Sequence, residues 1–225
     1  MRADEILQKI RAHGNPRSLE GMARYGINVA QAYGASIPTL RALAKEIRRD
    51  HALAQELWAS GVHEARILAG LIDDPKQVTE EQMERWARDF DSWDVCDQVC
   101  GNLFDKTPFA YAKAVEWSAR PEEFVKRAGF VLMASLAVHD KKASDDAFLR
   151  FLPLVEREAT DERNFVHKAV NWALRQIGKR NAKLLRAALK RAKRIQKLDS
   201  KSARWIAADA IRELESDAVQ ARLRA

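Results

Sequence analysis

The segment Asp91-Ser92-Trp93-Asp94-Val95-Cys96-Asp97 sets three carboxylates around a tryptophan. On a helix, Trp93 and Asp97 stand one above the other on a single face. A carboxylate flanked by indoles and surrounded by cations can stabilise a developing positive charge while the rings exclude water and shape the slot. The same residues also fit a plain ion pair of Asp97 with Arg127 or Lys168, with the tryptophans in the core. Residue type and spacing leave both readings open.

Other chemistries find little support. The nine glycines form no phosphate loop or dinucleotide fingerprint. No Gly-x-Ser-x-Gly elbow occurs, and the five histidines, at 13, 51, 63, 139 and 167, show no ligand spacing. His139 and His167 read as capping or surface residues. The two cysteines, Cys96 and Cys100, sit four apart with no second Cys or Cys/His pair to complete a zinc site. They read as free thiols packed in the core, and Cys96 beside Asp94 and Asp97 would be a poor nucleophile. No metal and no cofactor are expected.

The chain has 225 residues, 39 Lys plus Arg against 32 Asp plus Glu, and a net charge of +7. Its longest nearly apolar stretch, Gly129 to Val138, is half of what a membrane span needs. The start carries acidic residues and no apolar secretory run, so a cytoplasmic protein is expected. The charge is polarised. Residues 51–100 carry 4 basic and 11 acidic groups, whereas residues 151–200 carry 13 and 5. Between Arg163 and Arg204 lie 14 cations and a single acid, Asp199. Such a run is either a solvated helix face or a surface for a polyanion.

The elements that must position these groups read as helical throughout, with few β-branched residues and no alternating pattern. Ile6 and Ile10 mark a first helix, stopped at Gly14-Asn15-Pro16. Ser36-Ile37-Pro38 opens another with Ser36 as N-cap, and Thr79-Glu80-Glu81-Gln82 reads as a capping box. Further helices are predicted near 51–60, 62–73, 91–104, 108–119, 121–138, 143–158, 162–178, 181–197 and 201–214, then a short tail. Four segments look alike, with a basic residue among small and apolar ones: those around Arg66, Arg127, Lys168 and Arg204. Their steps are 61, 41 and 36 residues, the last two matching helical-pair repeats and the first hiding a degenerate unit around Trp93. The predicted fold is all-α, an α-α superhelix or HEAT-like repeat solenoid of about twelve helices, a single domain over residues 1–225. Its second helices, Trp172 and Trp205 among them, would line a concave basic face. An ordinary helical bundle is the competing architecture.

Trp93-Asp94-x-x-Asp97, Lys126-Arg127-Ala128 and Lys168-Ala169-x-x-Trp172-x-Leu174-Arg175 together resemble the AlkD-like DNA alkylation repair family. Met22-Ala23-Arg24-Tyr25-Gly26 through Gly34-x-x-Ile37-Pro38-x-Leu40-Arg41 is similar too. The resemblance implies a HEAT-like solenoid that cradles duplex DNA by its phosphate backbone, without base flipping. It implies a monofunctional glycosylase that releases cationic alkylpurines without metal or cofactor. It makes Asp97 the catalytic aspartate, Trp93 and Trp172 the indoles around the lesion's sugar, and Arg127 a backbone-contacting arginine. Tyr25 matches an N-terminal DNA-contacting tyrosine. Arg66, Lys168, Arg175, Lys179 and Arg204 are the candidate phosphate contacts of a monomer. Two other readings compete: a non-catalytic binder of branched or distorted DNA, and a helical-repeat adaptor for a protein, which needs neither Trp93 nor Asp97.

Overall fold

A computed structural model of the protein describes residues 1–224. Every regular element among them is helical, and they fall into two compact units, Met1–Pro108 and the segment from Phe109 onward. The first holds α1 (Ala3–Ala12), α2 (Pro16–Arg24), α3 (Ile37–Ile47), α4 (His51–Ala59), α5 (His63–Ile72), α6 (Glu80–Arg88), α7 (Trp93–Asn102) and a 3-10 turn at Phe104–Lys106. The second holds α8 (Ala110–Trp117), α9 (Glu123–His139), α10 (Asp145–Leu149), α11 (Leu152–Arg157), α12 (Asn164–Gly178), α13 (Ala182–Ile195), α14 (Lys201–Leu214) and α15 (Asp217–Arg224).

Short polar side chains fix where six of the helices begin. Asn15, Ser36, Asp50, Thr79, Asn181 and Ser200 each accept a hydrogen bond from a first-turn amide of the helix that follows, satisfying a donor with no partner inside the helix. Thr79 makes only half of the expected capping box. Gln82 Nε2 instead donates to the buried Asp73 carboxylate at 2.6 Å, whose other oxygen contacts His51 Nδ1 at 2.6 Å. A charge sealed from water outbids an exposed helix end.

The helix predicted over 143–158 is two helices, α10 and α11. Pro153 stands in the first turn of α11, where its missing N–H costs nothing, whereas inside one continuous helix it would clash with the carbonyl of Leu149. Helix α2 escaped prediction because Asn15-Pro16, read as a stop, is its N-cap and first residue. The tail, too, is helical, as α15.

Packing follows the repeat. In the second unit α9 packs on α12 and α12 on α14, so the helices of Arg127, Lys168 and Arg204 form one layer, with α8 against α9 and α13 against α12 and α14. In the first unit α5 packs on α3 and α7, and α4 covers α5. Helix α7, with Trp93, is thus the next layer member after the Arg66 helix, where the irregular 61-residue step predicted a hidden unit. Phe130, Val131, Leu132, Met133 and Ala134 of α9 are wholly buried, which is why that stretch reads as an unbroken apolar run. Gly129 lets α9 close on the end of α8, since a Cβ there would fall 2.5 Å from the Ser118 amide.

Candidate functional site

In the first unit the site is built around the start of α7. Ser92 is its N-cap, yet its hydroxyl does not cap it, accepting instead from the amide of Asn28 at 2.9 Å. Asn28 Nδ2 donates to Asp91 at 2.9 Å, and Trp93 Nε1 donates to the Tyr25 carbonyl at 3.1 Å. The non-helical strap between α2 and α3 is therefore laid along α5 and α7. Its far end is held by Glu64. This carboxylate, 1% exposed, accepts from the amides of Tyr33 at 3.0 Å, Gly34 at 2.6 Å and Ala35 at 3.3 Å. His63 N donates to the Gln31 carbonyl at 2.8 Å. Gly34 has φ +80°, and a Cβ there would meet the Asn15 carbonyl at 2.3 Å, so only glycine fits.

Between strap and helices lies a cavity of about 340 Å³ lined by Met22, Ile37, His63, Ile67, Trp93 and Asp94, among others. Asp94 does not join Asp97; it contacts His63 Nε2 at 2.9 Å. Burial opposes the charged imidazole, but the hydrogen bond and charge of Asp94, with Glu64 and Asp91 behind it, hold the His63 pKa above its ordinary 6.5. Trp93 and Asp97 are both half-buried. They stand one helical turn apart at the start of α7, as the spacing predicted, and Asp97 stays in reach of solvent. Tyr25 lends its carbonyl to Trp93 and leaves 72% of itself exposed. Cys96 and Cys100 are buried thiols outside any disulfide, with Cys100 pushed well up by burial first and then by Cys96.

In the second unit, Arg127 is 6% exposed and Nη1 donates to the Phe165 carbonyl at 2.6 Å, tying α9 to the first turn of α12. Trp172 is half-buried on α12.

The five cations expected on phosphates divide. Arg66, in the first unit, lies over the Trp58 ring at 5.3 Å and donates to the Asp89 carbonyl at 3.0 Å, with Asp91 at 3.9 Å. Arg175 and Lys179 share Glu213. Arg204 is exposed and reaches Asp199 at 3.2 Å. Lys168 is exposed with no ion pair among the described residues. The bare basic run also needs correction. Among the described residues, eight of its 14 cations meet a carboxylate, and apart from Asp199 these carboxylates come from outside the run: Asp145, Glu156, Asp161, Asp209, Glu213 and Glu215.

Sequence reasoning missed Glu64 and the His63–Asp94 pair. The signal available was a His-Glu dipeptide inside the otherwise apolar α5. Among the described residues no group of three His, Cys, Asp or Glu side chains is placed to hold a metal ion. No described helix is long and apolar enough to cross a membrane.

No curated protein matches the chain. A solved structure from a family described as related to the HEAT-like repeat DNA glycosylases, with affinity for branched DNA structures, superposes with a TM-score of 0.82 at 23% identity, covering 99% of this chain and 96% of that one. A designed armadillo repeat protein in complex with a (KR)4 peptide aligns at a TM-score of 0.40 and 15% identity, over 83% and 79% of the two chains. The fold is that of the HEAT-like repeat proteins. The model of the DNA alkylation repair enzyme family matches residues 6–214, and the chain belongs to that family.

Proposed function

We propose that this protein is a monofunctional DNA glycosylase of alkylation base-excision repair. In this reading it acts as one domain and as a monomer on nucleoid DNA in the cytoplasm, releasing cationic alkylpurines such as N7-methylguanine and N3-methyladenine from duplex DNA. The observation that supports it most is Asp97 one turn beyond Trp93 on α7, half-buried and still open to solvent, in a chain of the DNA alkylation repair family.

A purine alkylated at N3 or N7 already carries a positive charge, so it leaves with the C1′–N bonding pair as a neutral base and needs no enzyme acid. The barrier then lies in the oxocarbenium-like sugar. A carboxylate held ~4 Å from that charge at an effective dielectric of ~20 contributes about 4 kcal/mol, or roughly 10³ in rate. Asp97 supplies it and orients the water that bonds to C1′ and gives up a proton. Trp93 and Trp172 pack against the sugar and Tyr25 contacts the DNA backbone, whereas Arg127, 6% exposed and bonded to the Phe165 carbonyl, serves as a clamp between α9 and α12 rather than as a backbone contact. Lys168 and Arg204 hold phosphates directly. Arg66, Arg175 and Lys179, already engaged with protein groups, contribute less.

The test is release of free N7-methylguanine from a methylated duplex. Wild type should release the base and Asp97→Asn should lose release by roughly 10³ while retaining DNA binding; equal release by both would remove Asp97 from the mechanism. A second reading, a non-catalytic binder of branched DNA, draws on the affinity described for the superposed structure. It predicts tight binding of a four-way junction with no base release by wild type.

A further inference from the structure

On α12 and α14, within the second unit, lies a trough of about 470 Å³ of which the reading above uses only Lys168. Its lining includes His167, Lys168, Lys201, Ser202, Trp205 and the exposed acid Glu162 at its rim. Trp205 is 43% exposed, whereas Trp58, Trp86 and Trp117 are buried. His167 meets it edge-on, ring centroids 5.0 Å apart at 68°. The imidazole therefore does not stack flat on the indole, whose exposure leaves room for another flat ring. Burial first, and Lys168 next, push the His167 pKa below its ordinary 6.5, so this imidazole is a neutral neighbour. Lys168 and Lys201 are exposed, and neither has an ion pair among the described residues. Ser202 is 5% exposed, and its hydroxyl is buried with no hydrogen-bond partner. That is an unmet donor on the wall of a trough flanked by two ammonium groups, in the first turn of α14, where backbone amides also point outward.

We infer that this trough takes one unpaired nucleotide of a DNA strand, its base stacked on Trp205 and its phosphate between Lys168 and Lys201 with the Ser202 hydroxyl donating to it. A flat ring over an indole, beside free cations and a hydroxyl donor, is the chemistry of single-strand binding, in which any base has a face to offer. Lys168 belongs to the phosphate contacts proposed above, so the site extends a duplex interface to a strand that leaves it.

The experiment titrates the full chain with three labelled probes: a short duplex, the same duplex with a short oligothymidine tail, and that duplex with an abasic tail of equal charge. The thymidine tail should tighten binding about 10-fold over the abasic tail, within the range that stacking of one base commands, and quench indole fluorescence. In Trp205→Ala the ratio should fall to about one, while Trp205→Phe keeps most of it. Equal gain from thymidine and abasic tails, or a gain that survives Trp205→Ala, overturns the inference. Duplex binding and base release without any tail effect would sink this site and leave the proposed function standing. A Trp205-dependent tail effect on a protein that ignores plain duplex would do the reverse.

Discussion

Replacing Glu64 by alanine should cost far more than removal of a surface acid. Its carboxylate is 1% exposed and serves the amides of Tyr33, Gly34 and Ala35. Two of these donors, Gly34 and Ala35, are buried with it. Truncation leaves both amides without an acceptor, at about 1–3 kcal/mol each, so roughly 2–6 kcal/mol in all. For a chain of this size each kcal/mol moves Tm by about 2–4 °C, and the midpoint of that range predicts a drop of roughly 8–16 °C. Glu64→Gln keeps an accepting oxygen but turns an NH₂ toward donors, and should fall between. Thermal unfolding followed by circular dichroism gives the size of the effect, and amide exchange gives its place. Protection should fall first in residues 26–35, because the strap loses its far anchor before the helices lose their packing. A Tm within about 2 °C of wild type, with exchange in that segment unchanged, would refute the claim that this carboxylate fastens the strap.

Other outcomes follow from the same geometry. Gly34→Ala should destabilise by at least ~2 kcal/mol in urea unfolding, since the left-handed backbone is strained for alanine and its Cβ would overlap the Asn15 carbonyl. The His63–Asp94 pair should make stability pH-dependent in a definite direction. A folded pKa raised above 6.5 means that the pair's contribution is fully present below the unfolded value and is lost as pH rises through the folded one. The Tm gap between wild type and His63→Gln should therefore narrow with rising pH, and a widening gap would contradict the assignment. Lys168→Gln should lower the log–log salt slope of duplex binding by about 0.9. Arg175→Gln should lower it by less, because Glu213 already pairs that guanidinium.

Much of the frame was legible in the chain itself. Helix starts at Ser36 and Thr79 announce themselves through capping chemistry, and the stacking of the helices of Arg127, Lys168 and Arg204 follows from steps of 41 and 36 residues. The pairing of Trp93 with Asp97 needed only helical spacing. The strap was not legible. It has no periodicity, and its order depends on Glu64, Ser92 and Asp91, whose separation in sequence hides their meeting in space. Counting charge along the chain failed for the same reason: the run from Arg163 to Arg204 looks nearly bare, yet Glu156 pairs with Arg191 and Arg194, and Glu213 with Arg175 and Lys179.

That redistribution decides which cations remain for a polyanion. The four repeat-like segments each carry one, but burial sorts them. Arg66 and Arg127 are covered, and each hands an N–H to a backbone carbonyl at a helix boundary, Asp89 at the end of α6 and Phe165 at the start of α12. A guanidinium, planar and always charged, suits that clamp because its remaining donors can meet further acceptors when water is excluded. Lys168 and Arg204 occupy the equivalent helices yet lie exposed. An ammonium on a flexible stem loses little by staying hydrated, and Lys168 has no carboxylate partner among the described residues. The same repeat position thus becomes a structural clamp where neighbours cover it and an open cation where they do not.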